Sequence, residues 1–142
     1  MDMKKVLISI KGSQRYDDDE LDSIELITDG EYIYSESGET TFTYMESELT
    51  GLEGTRTSFT VSPKTVTMLR EGKLNSRMVF EEGKKHIFLY DTPFGAATMG
   101  VNTHHLASEL GEKGGDMEID YILDFEHAVI GHNKFKINIR EA

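Results

Sequence analysis

At 142 residues the chain has the length of one ordinary domain, with enough sequence for a single hydrophobic core. It contains no cysteine, which excludes disulfides, thiolate nucleophiles, zinc ribbons and iron–sulfur clusters together. Twenty-six acidic residues against 15 basic ones give a net charge of −11, which repels phosphate backbones and anionic membrane surfaces, so neither nucleic acid nor membrane is expected as a partner.

No stretch approaches the roughly 20 apolar residues of a bilayer-spanning helix. The opening Met1-Asp2-Met3-Lys4-Lys5 leads into Val6-Leu7-Ile8-Ser9-Ile10, too short and too alternating for a signal-peptide core, so a cytoplasmic protein is expected. Basic residues are scattered, densest at Lys84-Lys85 and around Lys134 and Lys136, and form no stripe.

Along the chain the dominant pattern is alternation with period two, the mark of half-buried strands. Val6, Ile8 and Ile10 line the first strand. Residues 15–22 (RYDDDELD) read as an acidic, solvated loop. Ile24 and Leu26 begin the second strand, which runs through Asp29-Gly30 to Tyr32 and Tyr34. The Asp-Gly pair suits a tight turn, yet the apolar phase is kept across it, so a bulge in one long strand competes with a turn. Further strands are predicted over 40–48, 55–62, 65–71, 74–81, 85–92 and 95–103, separated by short breakers containing Pro63, Gly72, Gly83 and Pro93. On 85–92 both faces are partly apolar: His86, Phe88, Tyr90 and Thr92 form one, Ile87, Leu89 and Asp91 the other. Residues 104–110 (HHLASEL) suit either a short helix or an irregular strand.

The last two strands are the clearest. In 117–125, Met117, Ile119, Tyr121, Leu123 and Phe125 share a face; in 135–139, Phe135, Ile137 and Ile139 do. About ten short strands with hairpin-length links favour up-and-down order. Closing such a sheet removes its exposed edges. The expected fold is therefore all-β, a single closed antiparallel barrel of the lipocalin or calycin kind spanning 1–142, with an open sandwich as the alternative.

In a barrel the informative residues are polar ones on the inward phase. Arg70 follows Val66 and Met68 in phase, and Glu46 follows Phe42 and Tyr44. A desolvated guanidinium or carboxylate costs several kcal/mol unless paired. Either Arg70 and Glu46 face a common interior, binding a polar ligand or each other, or strand ends let both reach water. Tyr44, Tyr90 and Thr92 can add hydroxyls to the same interior, although tyrosines in a barrel wall also serve as core.

Metal chemistry is not expected. His104 and His105 are adjacent and on a strand point apart. His127 and His132 flank residues 128–131, where a tight hairpin would bring them together, but a zinc site would still need Glu126 or Asp124. The acids at 17–20 lack the spacing of a calcium loop. Nucleophile-elbow, phosphate-loop, zincin and dinucleotide motifs are all absent from the sequence. Glu46 and Glu48 have the spacing of a carboxylate pair, but so does every E-x-E strand.

Several segments together resemble the YwiB-type family of small bacterial proteins of unknown function. They are Tyr44-Met45-Glu46, Gly54-Thr55-Arg56-Thr57, Leu69-Arg70-Glu71-Gly72, Met78-Val79-Phe80 and Tyr90-Asp91-Thr92-Pro93-Phe94-Gly95. Order and spacing carry the resemblance, which extends from about Val6 to Ile139. It implies a calycin-like barrel, in line with the periodicity, and supplies no assigned activity, cofactor or site residue.

Three functional classes follow. The first is a non-enzymatic barrel holding a small molecule in its interior or mouth. The second is an interaction or assembly module with a filled barrel acting as a homodimer through its outer face, where Leu7, Ile27 and Ile122 project. The third is an enzyme using Glu46 and Arg70 in a cavity, for which no specific motif speaks. No cofactor is expected in any of them.

Overall fold

The computed structural model describes residues 3–16, 20–36, 38–47, 52–72, 75–92, 95–126 and 128–142. They form ten strands: β1 Met3–Tyr16, β2 Glu20–Tyr34, β3 Thr40–Met45, β4 Thr55–Val61, β5 Thr65–Gly72, β6 Ser76–Glu81, β7 Lys85–Thr92, β8 Gly95–Gly111, β9 Gly114–Phe125 and β10 Ala128–Glu141. All pairings are antiparallel, and the sheet runs β6-β5-β4-β3-β2-β1-β10-β9-β8-β7. Chain neighbours pair except at β6 and β7, and β1 pairs with β10 to bring the chain ends together. The two ends of this ladder, β6 and β7, follow one another in the chain. The barrel is thus nearly closed, with a seam between them. The turn joining these strands is fastened to β8: the Gly83 amide donates to the Thr103 carbonyl at 2.8 Å, and the Thr103 amide to the Lys84 carbonyl at 3.2 Å.

Alternation fills the interior as the sequence predicts. Val6, Ile8, Phe42, Phe59, Val66, Met68, Phe80, Val101, Ile119 and Ile139 are all buried. Each such side chain contributes about 1.5–3 kcal/mol by leaving water. Phe42 and Phe59 stack with ring centroids 4.9 Å apart, and Phe135 meets Phe59 edge-on at 6.3 Å.

Four local expectations change. First, Asp29-Gly30 is neither turn nor bulge: Val6, Gly30 and Tyr44 lie in uninterrupted register across β1, β2 and β3. Glycine is needed because a side chain there would strike Ile8 and the Thr43 carbonyl. Second, much of the acidic stretch is strand, not loop: Arg15 pairs with Leu21 and Tyr16 with Glu20. Asp17, Asp18 and Asp19 lie outside the described residues. The run of acids there carries no alternation of apolar and polar residues, so the sequence offered no strand signal.

Third, 104–110 is strand. The register shifts between Thr103 and His105, so His104 is the extra residue of a β-bulge. Leu106 and Leu110 then resume packing on the core. A spacing of four puts two residues on one face of a helix or a strand alike, so those leucines could not decide. Fourth, 128–131 belongs to β10, with Ala128 opposite Phe125 and a second register shift between Val129 and Gly131. The turn comes earlier, at Glu126, which takes a positive φ of 49°. His132 consequently faces Ile122 in the ladder, and His127 lies outside the described residues.

Candidate functional site

One row of side chains crosses the barrel wall in register: Tyr44 on β3, Thr57 on β4, Arg70 on β5 and Ser76 on β6. Alternation turns all four toward the interior, where the neighbouring inward positions are apolar. A second pair, Thr103 and Tyr121, faces inward from β8 and β9. The barrel therefore carries polar groups inside its apolar filling.

Glu46 joins this row just beyond the end of β3. Its amide donates to the Thr55 carbonyl at 2.8 Å, which prolongs the β3–β4 pairing by one residue and keeps the carboxylate on the inward phase. Its side chain accepts a hydrogen bond from the Thr57 hydroxyl at 3.1 Å. Glu46 is only 6% exposed, so a strand end opening to water does not describe it. Arg70 is half-buried, and its Nε lies buried without a hydrogen-bond partner among the described residues.

These groups open on a cavity of ≈ 220 Å³ at the barrel mouth. Glu46, Arg70, Tyr44 and Tyr121 supply its polar wall. Ile10, Ile24, Leu26 and Phe135 supply the apolar one. Lys134 and Gln14 stand at the same mouth, with Lys134 engaged by Glu118 at 2.7 Å. A larger hollow of ≈ 610 Å³ lies on the outer face of the sheet, but its walls include outward side chains such as Lys11, Glu118 and Lys136. Such solvated charges are ordinary on a strand face, and the mouth cavity is the better-built site.

The electrostatics of the mouth bear on the two phenols. Burial raises the pKa of Tyr44; the charge of Glu46 raises it further, while Arg70 and the Thr57 hydrogen bond oppose the rise. Burial also raises the pKa of Tyr121, with Arg70 again opposing. Both therefore stay protonated well above neutral pH and act as hydrogen-bond donors rather than bases.

Of the residues singled out in the sequence, Arg70, Glu46 and Tyr44 meet at this cavity. Tyr90 does not line it: it is half-buried on β7, opposite Ala97 and beside the seam. Thr92 closes β7, and its side chain lies outside the described residues, as does Glu48. Sequence reasoning missed Tyr121, whose inward phase was visible but read as core, and Thr57. Among the described residues no cluster of three or more histidine, aspartate or glutamate side chains could hold a metal ion. On β7 the two faces are now distinct: Phe88 and Tyr90 turn inward, while Ile87 and Leu89 are 61% and 66% exposed.

Comparison with known proteins agrees on the fold. A family model described as a domain of unknown function, DUF1934, matches residues 8–137. The crystal structure of the YwiB protein from Bacillus subtilis is similar to this one with a TM-score of 0.85. The two chains are 22% identical, over 99% of this chain and 93% of that one. At that identity the likeness speaks for the fold alone. No curated protein matches.

Proposed function

Because the chain belongs to the DUF1934 family, whose description assigns no activity, we propose its function from the mouth cavity: a non-enzymatic barrel that binds a small molecule there. The observation that carries this reading is the buried Arg70 Nε, which has no acceptor among the described residues and lines a cavity with apolar walls. Leaving a charged donor group unsatisfied is costly, and a ligand acceptor would relieve that cost. The protonated phenols of Tyr44 and Tyr121 add donors on the same side. Apolar walls with a few convergent polar groups are the usual make-up of a small-molecule site. Nucleic acid and anionic membranes remain unfavourable partners for a chain of net charge −11.

The test is native mass spectrometry of protein purified from its own host, beside the same sample denatured. A discrete added mass that disappears on denaturation, and is missing from the Arg70→Met variant, is the expected result. A bare wild-type mass would count against the reading.

A second reading rests on a separate observation. Ile87 and Leu89 stand exposed on β7, a strand that lacks a ladder partner at the seam. Exposed apolar residues beside an unpaired edge suit a contact with a second copy of the chain. Sedimentation equilibrium of wild type and Leu89→Lys distinguishes the cases: a dimer abolished by the lysine supports it, a monomer at micromolar concentration removes it.

A further inference from the structure

We propose that the seam between β6 and β7 is a gate: β6 swings away from β7 at the mouth end while the turn joining them stays fastened, and the wall beside the mouth cavity opens. The gate goes beyond the ligand-binding reading and does not depend on it, since a filled barrel with this seam would open in the same way.

Backbone pairing is where the seam differs from the rest of the wall. Every other pair of neighbouring strands is joined by a ladder of hydrogen bonds, whereas β6 and β7 are the two ends of the sheet order. Among the described residues the one polar side-chain contact between the two strands is His86 Nε2 with Glu81 Oε1 at 2.9 Å, at the turn end. Strands that separate without breaking a ladder open at far lower cost than the chain unfolds.

The turn end is held. The Gly83 amide and the Lys84 carbonyl both bond to Thr103 on β8. Glu82 Oε1 accepts from the Leu106 amide at 2.9 Å, just past the bulge at His104, and lies 3.5 Å from His105 Nδ1. Phe80, close to the turn, packs edge-on against Tyr121 with ring centroids 4.9 Å apart. Toward the mouth, Ser76 and Met78 are buried on the inner side of β6, and packing alone keeps them against the barrel. One end is thus a hinge and the other is free.

The free end adjoins the cavity. β6 is laddered to β5, with Ser76 opposite Arg70. An outward swing of β6 draws β5 with it and moves Arg70 away from Tyr121 on β9, and these two residues line the same ≈ 220 Å³ space. The gate therefore sets how large a molecule that space admits.

The chain has no cysteine, so a single introduced thiol reports alone. Met78→Cys places it on β6. Met99→Cys and Met117→Cys place it on β8 and β9, strands laddered on both sides. Met78 is 5% exposed and Met99 8%, so static access favours the control. Labelling of the folded variants by the neutral disulfide 4,4′-dithiodipyridine is followed by absorbance, with each rate divided by that of the same variant unfolded in urea. The thiol at 78 is expected to react at least about tenfold faster than either control, at a rate nearly flat in low urea. The controls should speed up in step with global unfolding. If Met78→Cys fails to fold, the nearly isosteric Ser76→Cys reads the same strand. Equal corrected rates at all sites, rising together with urea, would overturn the gate. Fast, urea-independent labelling at all sites would overturn it as well, because the whole barrel would then be opening. In both cases native mass spectrometry still decides the ligand-binding reading separately.

Discussion

Lys85 Nζ lies 2.7 Å from Asp124 Oδ2 across the outer face of the barrel, and the strand beneath the pair presents Gly100. In the ladders Gly100 is opposite both Ile87 and Asp124. A methyl group on Gly100 would stand 2.6 Å from both Asp124 carboxylate oxygens and from Lys85 Cε. Gly100→Ala must therefore displace the pair. The gain from removing a flexible glycine is about 0.4–1 kcal/mol, and a charge-assisted hydrogen bond is worth about 1.5–3 kcal/mol. The expected net loss is on the order of 1 kcal/mol in urea unfolding. In an Asp124→Ala background the same substitution should be neutral or stabilising, and the double-mutant cycle checks it.

Thr57 and Arg70 are register neighbours with opposite roles in stability. Thr57→Val removes a hydrogen-bond donor to the buried Glu46 carboxylate, so a loss of about 1–3 kcal/mol is expected. Arg70→Met instead removes a donor that is already unsatisfied at Nε and substitutes an apolar chain. No hydrogen bond is lost at Nε, and the apolar chain gains burial that offsets the loss of positive charge near Glu46. Its unfolding midpoint should stay close to wild type while ligand binding is lost. Chemical denaturation of the two variants side by side reads the contrast.

Phe59 joins the stack with Phe42 to the edge contact with Phe135, and it is fully buried. Phe59→Ala leaves a void that close-packed neighbours refill only in part, at about 3–5 kcal/mol. Against a typical total stability of about 5–15 kcal/mol, this variant should unfold at much lower denaturant than any surface change.

Alkaline pH should destabilise the barrel through its tyrosines. Burial raises Tyr32 to about 12, helped by Tyr34, and raises Tyr44 and Tyr121 as well. A folded pKa above the unfolded value of 10 means that the native state keeps protons the unfolded chain gives up. The stability this provides is whole below pH 10 and is lost as pH climbs from 10 toward the folded values. With three such groups the slope reaches about −4 kcal/mol per pH unit at most. Absorbance at 295 nm, followed upward from pH 9, should show these three ionising together with unfolding. Early ionisation in a still-folded chain would contradict it.

The barrel could be read from the sequence because alternation is a local property. Successive side chains of a strand point to opposite faces whatever lies beyond, so Ile119 and Ile137 declared themselves core, and Arg70 and Glu46 declared themselves polar residues on an inward phase. The same rule explains the misses. At 104–110 a bulge breaks the phase, and at 15–22 the run of charged residues contains no apolar alternation, so neither offered a period to read.

Height along the barrel axis is a different matter. Phase names a face but not a level; the level depends on strand tilt and stagger, set when the sheet closes. Tyr44 and Tyr90 therefore looked alike in the sequence, yet Tyr44 reaches the mouth beside Arg70 while Tyr90 sits by the seam between β6 and β7. Tyr121 and Phe135 join the cavity only because β9 and β10 curl round to face β3 and β5. By itself the sequence determined which residues turn inward, through the two-residue repeat of the backbone. Only the tertiary structure decided which inward residues share one space, because that depends on register between strands distant in the chain.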